Sequence, residues 1–266
     1  MPSHARLKLG FDENVDNSCY QTASMVALFL FPSQHVDRLL RQRRARSRHR
    51  SAEERRAQEF LQTTAQQLSE RRGQLSTQRF LELRQLLSSI SYAEQFAQDG
   101  PNDAAEWIDT MLRLLAVPTL LPLSHMLHIC IAPRQSVQSA LDNHLAQCPA
   151  LPQTPPLLLL NLQRNARKTR SGLYISENYR IQLNSELSVS VRGRIRRFSL
   201  RSVIAMNRYR THYLVYVRDR HDNWFLFSDI NGEYQRLPQI NLDAEPLTQQ
   251  HISMLCNAHL LVYEPC

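Results

Sequence analysis

Apolar and polar positions along the chain divide it into a helical front and a strand-rich back. The run Ala23 to Phe31 is almost wholly apolar and is stopped by Pro32, as a buried helix would be. Ser51 followed three residues later by Glu54 is a capping-box pair and predicts a helix start. Beyond it Phe60, Leu61, Ala65 and Leu68, then Phe80, Leu83, Leu86, Leu87 and Ile90, recur at helical spacing. Gly100-Pro101 breaks the pattern, and a further helix is predicted from Trp107, Ile108, Met111, Leu112 and Leu115.

The period then shortens. Met126–Ile131 reads as a short apolar strand, and Leu157–Leu162, after Pro155-Pro156, as a strand buried on both faces. Leu187, Val189 and Val191 alternate with serines and Arg192, the pattern of a half-buried strand. Tyr213–Val217 and Trp224–Phe227 flank a polar turn containing Asp219, Asp222 and Asn223, which predicts a hairpin. The expected class is α+β in one domain over residues 1–266, with a helical lobe over about 1–118 and a β-rich lobe over about 119–266.

Composition adds limits. With 42% hydrophobic and 8% aromatic residues the chain is globular rather than disordered, and its net charge of +8 permits an acidic partner without naming one. Only Lys8 and Lys168 are lysine; the remaining basic residues are arginine. That bias reads either as codon usage or as avoidance of lysine modification, the latter suiting a pathogen effector in a host cell. Cys19, Cys130, Cys148, Cys256 and Cys266 are scattered, with no C-x-x-C pair, which argues against a disulfide framework or zinc ribbon. The first residues lack a signal-peptide core, and no apolar run approaches the roughly 20 residues that span a bilayer. A reducing, cytoplasmic setting is the expectation, the host cytosol or nucleus if the chain is an effector, with a monomer, no metal and no cofactor.

Chemistry enters at Cys19, which immediately precedes the apolar helix. The positive end of a helix dipole favours a thiolate there. A base is offered by His212, at the start of one hairpin strand, while Ser228 and Asp229 end the other. Folding the hairpin makes them neighbours. If its turn centres between Arg220 and His221, Asp229 shares the face of His212; if on Arg220, Ser228 does. Asp229, being charged, is the expected orienting group.

These segments resemble the Cys and His boxes of the ubiquitin-specific protease family of deubiquitinases. Asn14, Cys19 and Tyr20 match its Cys box; His212-Tyr213 and Trp224-Phe225-Leu226-Phe227-Ser228-Asp229 match its His box. Asn102-Asp103-Ala104-Ala105-Glu106-Trp107, Pro156 to Arg164, and Phe198 to Ile204 resemble three further boxes in the family's order. The resemblance implies a papain-like two-lobed fold with a helical thumb and an antiparallel β palm. It also implies thiol-dependent hydrolysis of isopeptide or peptide bonds at the C-terminal glycine of ubiquitin. In that reading Cys19 is nucleophile, His212 base, Asn14 an oxyanion donor, and Asp103, Glu106 and Tyr213 line the channel for ubiquitin's tail. From the residues alone, Asp103 and Glu106 also have capping-box spacing.

The chain departs from the family in three places. The segment between Leu115 and His125 is short and free of cysteine, which predicts reduced fingers without zinc. Arg210-Thr211 replaces the glycines before the histidine, and Ser228 stands where the family has Asp or Asn. The Arg-rich stretch 38–56 reads as an insertion with a solvated helix face. Its alternatives are a nuclear localisation signal or contact with nucleic acid or an anionic membrane, and the lack of aromatics weighs against single-strand recognition. The rival functions are a protease for a ubiquitin-like modifier and a catalytically weakened ubiquitin-binding protein.

Overall fold

The computed structural model describes residues 10–11, 18–31, 33–41, 50–71, 74–76, 78–98, 102–115, 117, 120–121, 124–148, 151–164, 166–168, 174–176, 179–207, 212–230, 233–237, 242 and 249–266. Its helices are α1 (Cys19–Phe29), α2 (Gln34–Arg41), α3 (Ala52–Arg71), α4 (Gln78–Leu87), α5 (Ala104–Leu114), α6 (Val137–Leu145) and α7 (Gln249–Asn257). Short strands β1 (Gly10–Phe11) and β2 (Gln74–Leu75) pair in parallel, and β5 (Ala166–Lys168) pairs with β6 (Tyr174–Ser176).

The remaining strands form one eight-stranded sheet: β3 (Leu127–Ile131), β4 (Leu158–Arg164), β7 (Glu186–Val191), β8 (Arg194–Met206), β9 (Tyr213–Arg218), β10 (Trp224–Ser228), β11 (Glu233–Arg236) and β12 (Ala258–Pro265). Their order is β11-β10-β9-β8-β12-β4-β3, with β7 also on β8. The class is α+β, as the pattern predicts. The sheet is mixed rather than wholly antiparallel, because β3 runs parallel to β4.

Its middle is buried on both faces. Along β4, Leu159 packs with the α1, α3, α4 and α5 side, while Leu158, Leu160 and Leu162 pack with the α6 and α7 side. Along β12, Leu260 and Val262 face the first group, Leu261 and Tyr263 the second. Period-two geometry between two apolar layers turns such strands into continuous apolar runs. Each fully buried leucine or valine contributes about 1.5–3 kcal/mol, so a one-residue slip of either strand is strongly resisted.

The predicted capping box at the start of α3 is formed in full: Ser51 N donates to Glu54 Oε2 and Glu54 N to Ser51 Oγ, both at 3.1 Å. Within the Arg-rich stretch, residues 42–49 lie outside the described residues. Arg55 and Arg56 are exposed, as a solvated face requires, whereas Arg50 is a structural tie. Its guanidinium donates to Gln58 Oε1 at 2.9 Å and to the carbonyls of Leu114 and Arg113 at 2.8 Å, closing the C-terminal end of α5. No helix of the described residues is long and apolar enough to cross a membrane.

Candidate active site

The site is built on the N-terminal end of α1. Ser18 O accepts from the amides of Gln21 at 2.9 Å and Thr22 at 3.0 Å, starting the helix at Cys19. Tyr20 to Phe29 are all buried, which fixes α1 as a rigid post. At the opposite end the buried Arg201 of β8 donates to the carbonyls of Leu28, at 3.3 Å, and Phe31, and its guanidinium meets Glu264 at 3.3 Å. Ser202 Oγ donates to Ala27 O at 2.9 Å. A cation and a hydroxyl therefore satisfy the orphan carbonyls at the negative end of the helix.

Facing this post is the start of β9. Asn207 N donates to His212 O at 2.8 Å, so the histidine's backbone is fixed to the end of β8. His212 Nε2 stands 3.1 Å from Ser228 Oγ, in a hydrogen bond, and 3.2 Å from Asp229 Oδ1, an ion-pair distance. Both histidine and aspartate are buried.

The hairpin register differs from both alternatives open in the sequence. Trp224 pairs with Arg218 and Phe227 with Val215, so the turn centres on His221. Asp219 holds that turn, accepting from the amides of His221 at 2.8 Å and Asn223 at 2.9 Å. Continued to the strand ends, this register puts Ser228 on the face of His212 and Asp229, the expected partner, on the other. β10 ends at Ser228, and Asp229 lies in the following turn, free of the pleat, so both side chains reach one imidazole nitrogen.

Cys19 completes the group. The Tyr213 backbone, next to His212, and the Asp229 charge both act on its thiol. Burial pushes the Cys19 thiol above its ordinary value; the Tyr213 backbone and the first backbone groups of α1 oppose this, and the Asp229 charge reinforces it. The helix-end effect expected from sequence is present but outweighed by burial. Burial likewise pushes the His212 imidazole down, and it pushes the Asp229 carboxyl up to about 7. A neutral imidazole is what a general base must be before it acts.

The acidic pair of the helical lobe takes a capping arrangement. Asp103 is the N-cap of α5, with Oδ1 accepting from Ala105 N at 2.6 Å and Glu106 N at 3.4 Å. Glu106 is exposed, and its carboxylate accepts from Gln95 Nε2 at 3.4 Å. Asp103 Oδ2 faces His259 Nε2 of β12 at 3.4 Å, and the His259 ring lies 6.1 Å from that of Tyr213. Burial works to raise the Asp103 carboxyl, but His259 and the two helix amides outweigh it and hold it below the usual range. Tyr213 ties β9 to α5, its hydroxyl accepting from Ala104 N at 3.4 Å. Asn102 Nδ2 donates to the Tyr20 hydroxyl at 3.3 Å.

Asn14 and the residues just before His212 lie outside the described residues. Cys130, Cys148, Cys256 and Cys266 are free thiols, as is Cys19. Sequence reasoning missed His259. Nothing in the spacing of His259 ties it to Asp103, 156 residues earlier.

No family model and no curated protein matches the sequence. Solved structures do. The SAGA DUB module of Ubp8, Sgf11, Sus1 and Sgf73 bound to monoubiquitin superposes with a TM-score of 0.67 at 14% identity, over 98% of this chain and 70% of that chain. The module bound to ubiquitin aldehyde gives 0.67 at 14% identity, covering 99% and 71%. A yeast SAGA DUB module gives 0.59 at 13% identity, covering 99% and 68%. The chain therefore shares the fold of these Ubp8-containing DUB module structures.

Proposed function

We propose that this chain is a cysteine-type ubiquitinyl hydrolase, cleaving isopeptide or peptide bonds at the C-terminal glycine of ubiquitin. The observation that carries the reading is the meeting, on this fold, of Cys19 at the start of α1 with the His212–Tyr213 start of β9 and with Ser228 and Asp229. Superposition on ubiquitin-bound structures supports ubiquitin as the partner.

In the proposed reaction His212 takes the Cys19 proton as the thiolate attacks the glycine carbonyl. The C–N bond breaks, the leaving amine takes that proton from the imidazolium, and a thioester remains. Water, deprotonated by His212, then hydrolyses the thioester and restores the thiol. Ser228 and Asp229 hold the imidazole and stabilise its charged form. Asn14 is assigned the oxyanion, and Asp103, Glu106 and Tyr213 the channel for the tail.

A ubiquitin suicide probe tests the reading. Wild-type protein is expected to be labelled at Cys19, and Cys19→Ala not at all. Labelling through another cysteine would refute the assignment. Absence of labelling with retained ubiquitin binding would establish a weakened, non-catalytic relative, and labelling only by a ubiquitin-like probe would change the modifier.

A further inference from the structure

Six consecutive residues at the turn of the β7–β8 hairpin, Arg192 to Arg197, are exposed, and four of them are arginine. Val191 pairs with Arg194, so Arg192 and Gly193 alone form the loop. Both have positive φ, 51° and 74°, as in the two-residue turns whose twist matches the flanking strands. A side chain at Gly193 would meet nothing within 4 Å, so the turn projects into open space.

The pairing spreads the charge around the ribbon. Arg194 lies opposite Val191 and Arg196 opposite Val189, on one face, while Ile195 and Arg197 lie opposite Ser190 and Ser188 on the other. Arg197 reaches Glu186 at 3.8 Å, an exposed pair of little energy. Arg192, Arg194 and Arg196 make no ion pair or side-chain hydrogen bond among the described residues. Arg50 and Arg201, by contrast, are spent on carbonyls and a carboxylate. Ile195, in the middle of this cluster, is 68% exposed. The tip is also remote from the candidate site. β8 runs 13 residues from Arg194 to Met206, about 40 Å along the strand, and His212 is fixed beyond its far end.

A partner for this tip must offer negative charge to both faces of the ribbon and an apolar place for Ile195 between them. Nucleic acid offers the charge but no apolar layer, and the exposed residues include no aromatic side chain to stack on bases. A folded acidic protein would need a groove that closes on both faces. An anionic bilayer meets the ribbon end-on, with charged headgroups around it and hydrocarbon just beneath. We propose that the β7–β8 hairpin is a membrane-docking arm. Its tip enters the headgroup layer of an anionic bilayer, with Ile195 at the acyl boundary and Arg192, Arg194, Arg196 and Arg197 on lipid phosphates and carboxylates. Docking there leaves the candidate site open, and does not depend on the hydrolase reading.

Co-sedimentation of the full chain with vesicles tests the arm, comparing phosphatidylcholine alone with phosphatidylcholine mixed with phosphatidylserine. Binding is expected only to the anionic vesicles and should weaken as salt is added. The double variant Arg194→Ser/Arg196→Ser should bind them about thirtyfold more weakly. Ile195→Ser should lose about tenfold while keeping the salt dependence, and Ile195→Leu should restore it. All these positions are exposed, so an unchanged Tm and unchanged turnover of a soluble substrate are expected alongside. Equal binding to both vesicle types, or to neither, overturns the proposal. So does wild-type binding by the double arginine variant, which would place the contact elsewhere, or by Ile195→Ser, which would make the tip a purely ionic surface. Tighter binding to a DNA duplex than to the anionic vesicles, unaffected by Ile195→Ser, would make the hairpin a nucleic-acid contact instead.

Discussion

Ser228 hydrogen-bonds the same imidazole nitrogen of His212 that Asp229 approaches, at 3.1 Å against 3.2 Å. In the proposed hydrolase the two neighbours divide the work by chemistry rather than by distance. A neutral hydroxyl fixes the ring and its tautomer, whereas a carboxylate also stabilises the imidazolium formed during attack.

The first prediction follows from that division. Ser228→Ala should lower turnover about three- to tenfold, the effect of one neutral hydrogen bond. Asp229→Ala should lower it by about a hundredfold or more. Steady-state kinetics on one ubiquitin substrate compares them, and a larger loss in folded Ser228→Ala would make the serine the principal orienting residue.

A second prediction concerns stability. Burial raises the Asp229 carboxyl to about 7, against about 3.9 for an unfolded aspartate. Between those values the folded state binds more protons than the unfolded one, so this group's contribution to stability falls as pH rises from about 4 to 7. Asp229→Asn removes that loss and should stabilise the protein by about 1–2 kcal/mol at pH 8, with the gain shrinking towards pH 4. Denaturant melts at both pH values check the sign; a gain that grows on acidification would contradict the burial argument.

Arg201 supplies a third. Its guanidinium is buried and joins the carbonyl end of α1 to Glu264. Truncation to Ala leaves those carbonyls and the carboxylate unpaired and should cost about 3–5 kcal/mol. A midpoint shift in urea below 1 kcal/mol would show that water replaces the guanidinium there.

At Asp103, capping and substrate binding can be separated. Asp103→Asn keeps an N-cap acceptor and removes the charge, while Asp103→Ala removes both and should cost about 1 kcal/mol of stability. If the carboxylate faces the arginines of ubiquitin's tail, both variants should raise KM by a similar factor, although only the alanine lowers Tm. An unchanged KM in Asp103→Asn would leave the residue as a cap alone.

Much of this fold was legible along the chain because its cues are local. The apolar run ending at Pro32, the Ser51–Glu54 box, the helix after Gly100-Pro101 and the hairpin around Asp219 each depend on residues a few positions apart. The placing of Cys19 at a helix start and of His212 just before a strand was legible for the same reason. The C-terminal strand β12 was not read. It is central to the sheet, yet whether Ala258–Pro265 pairs depends on β4 and β8, which come from 53 to 105 residues earlier.

The sequence by itself determined the α+β class and the type of many elements, since periodicity, turn chemistry and helix ends are short-range properties. Tertiary structure alone decided how those residues are used. It centred the hairpin on His221, carried Asp229 past the strand end to the nitrogen that Ser228 also holds, and set Asp103 against His259. It also half-buried Cys19, enough that desolvation outweighs the helix end, and buried Asp229. Desolvation and long-range pairing are sums over groups distant in sequence, and no window along the chain contains them.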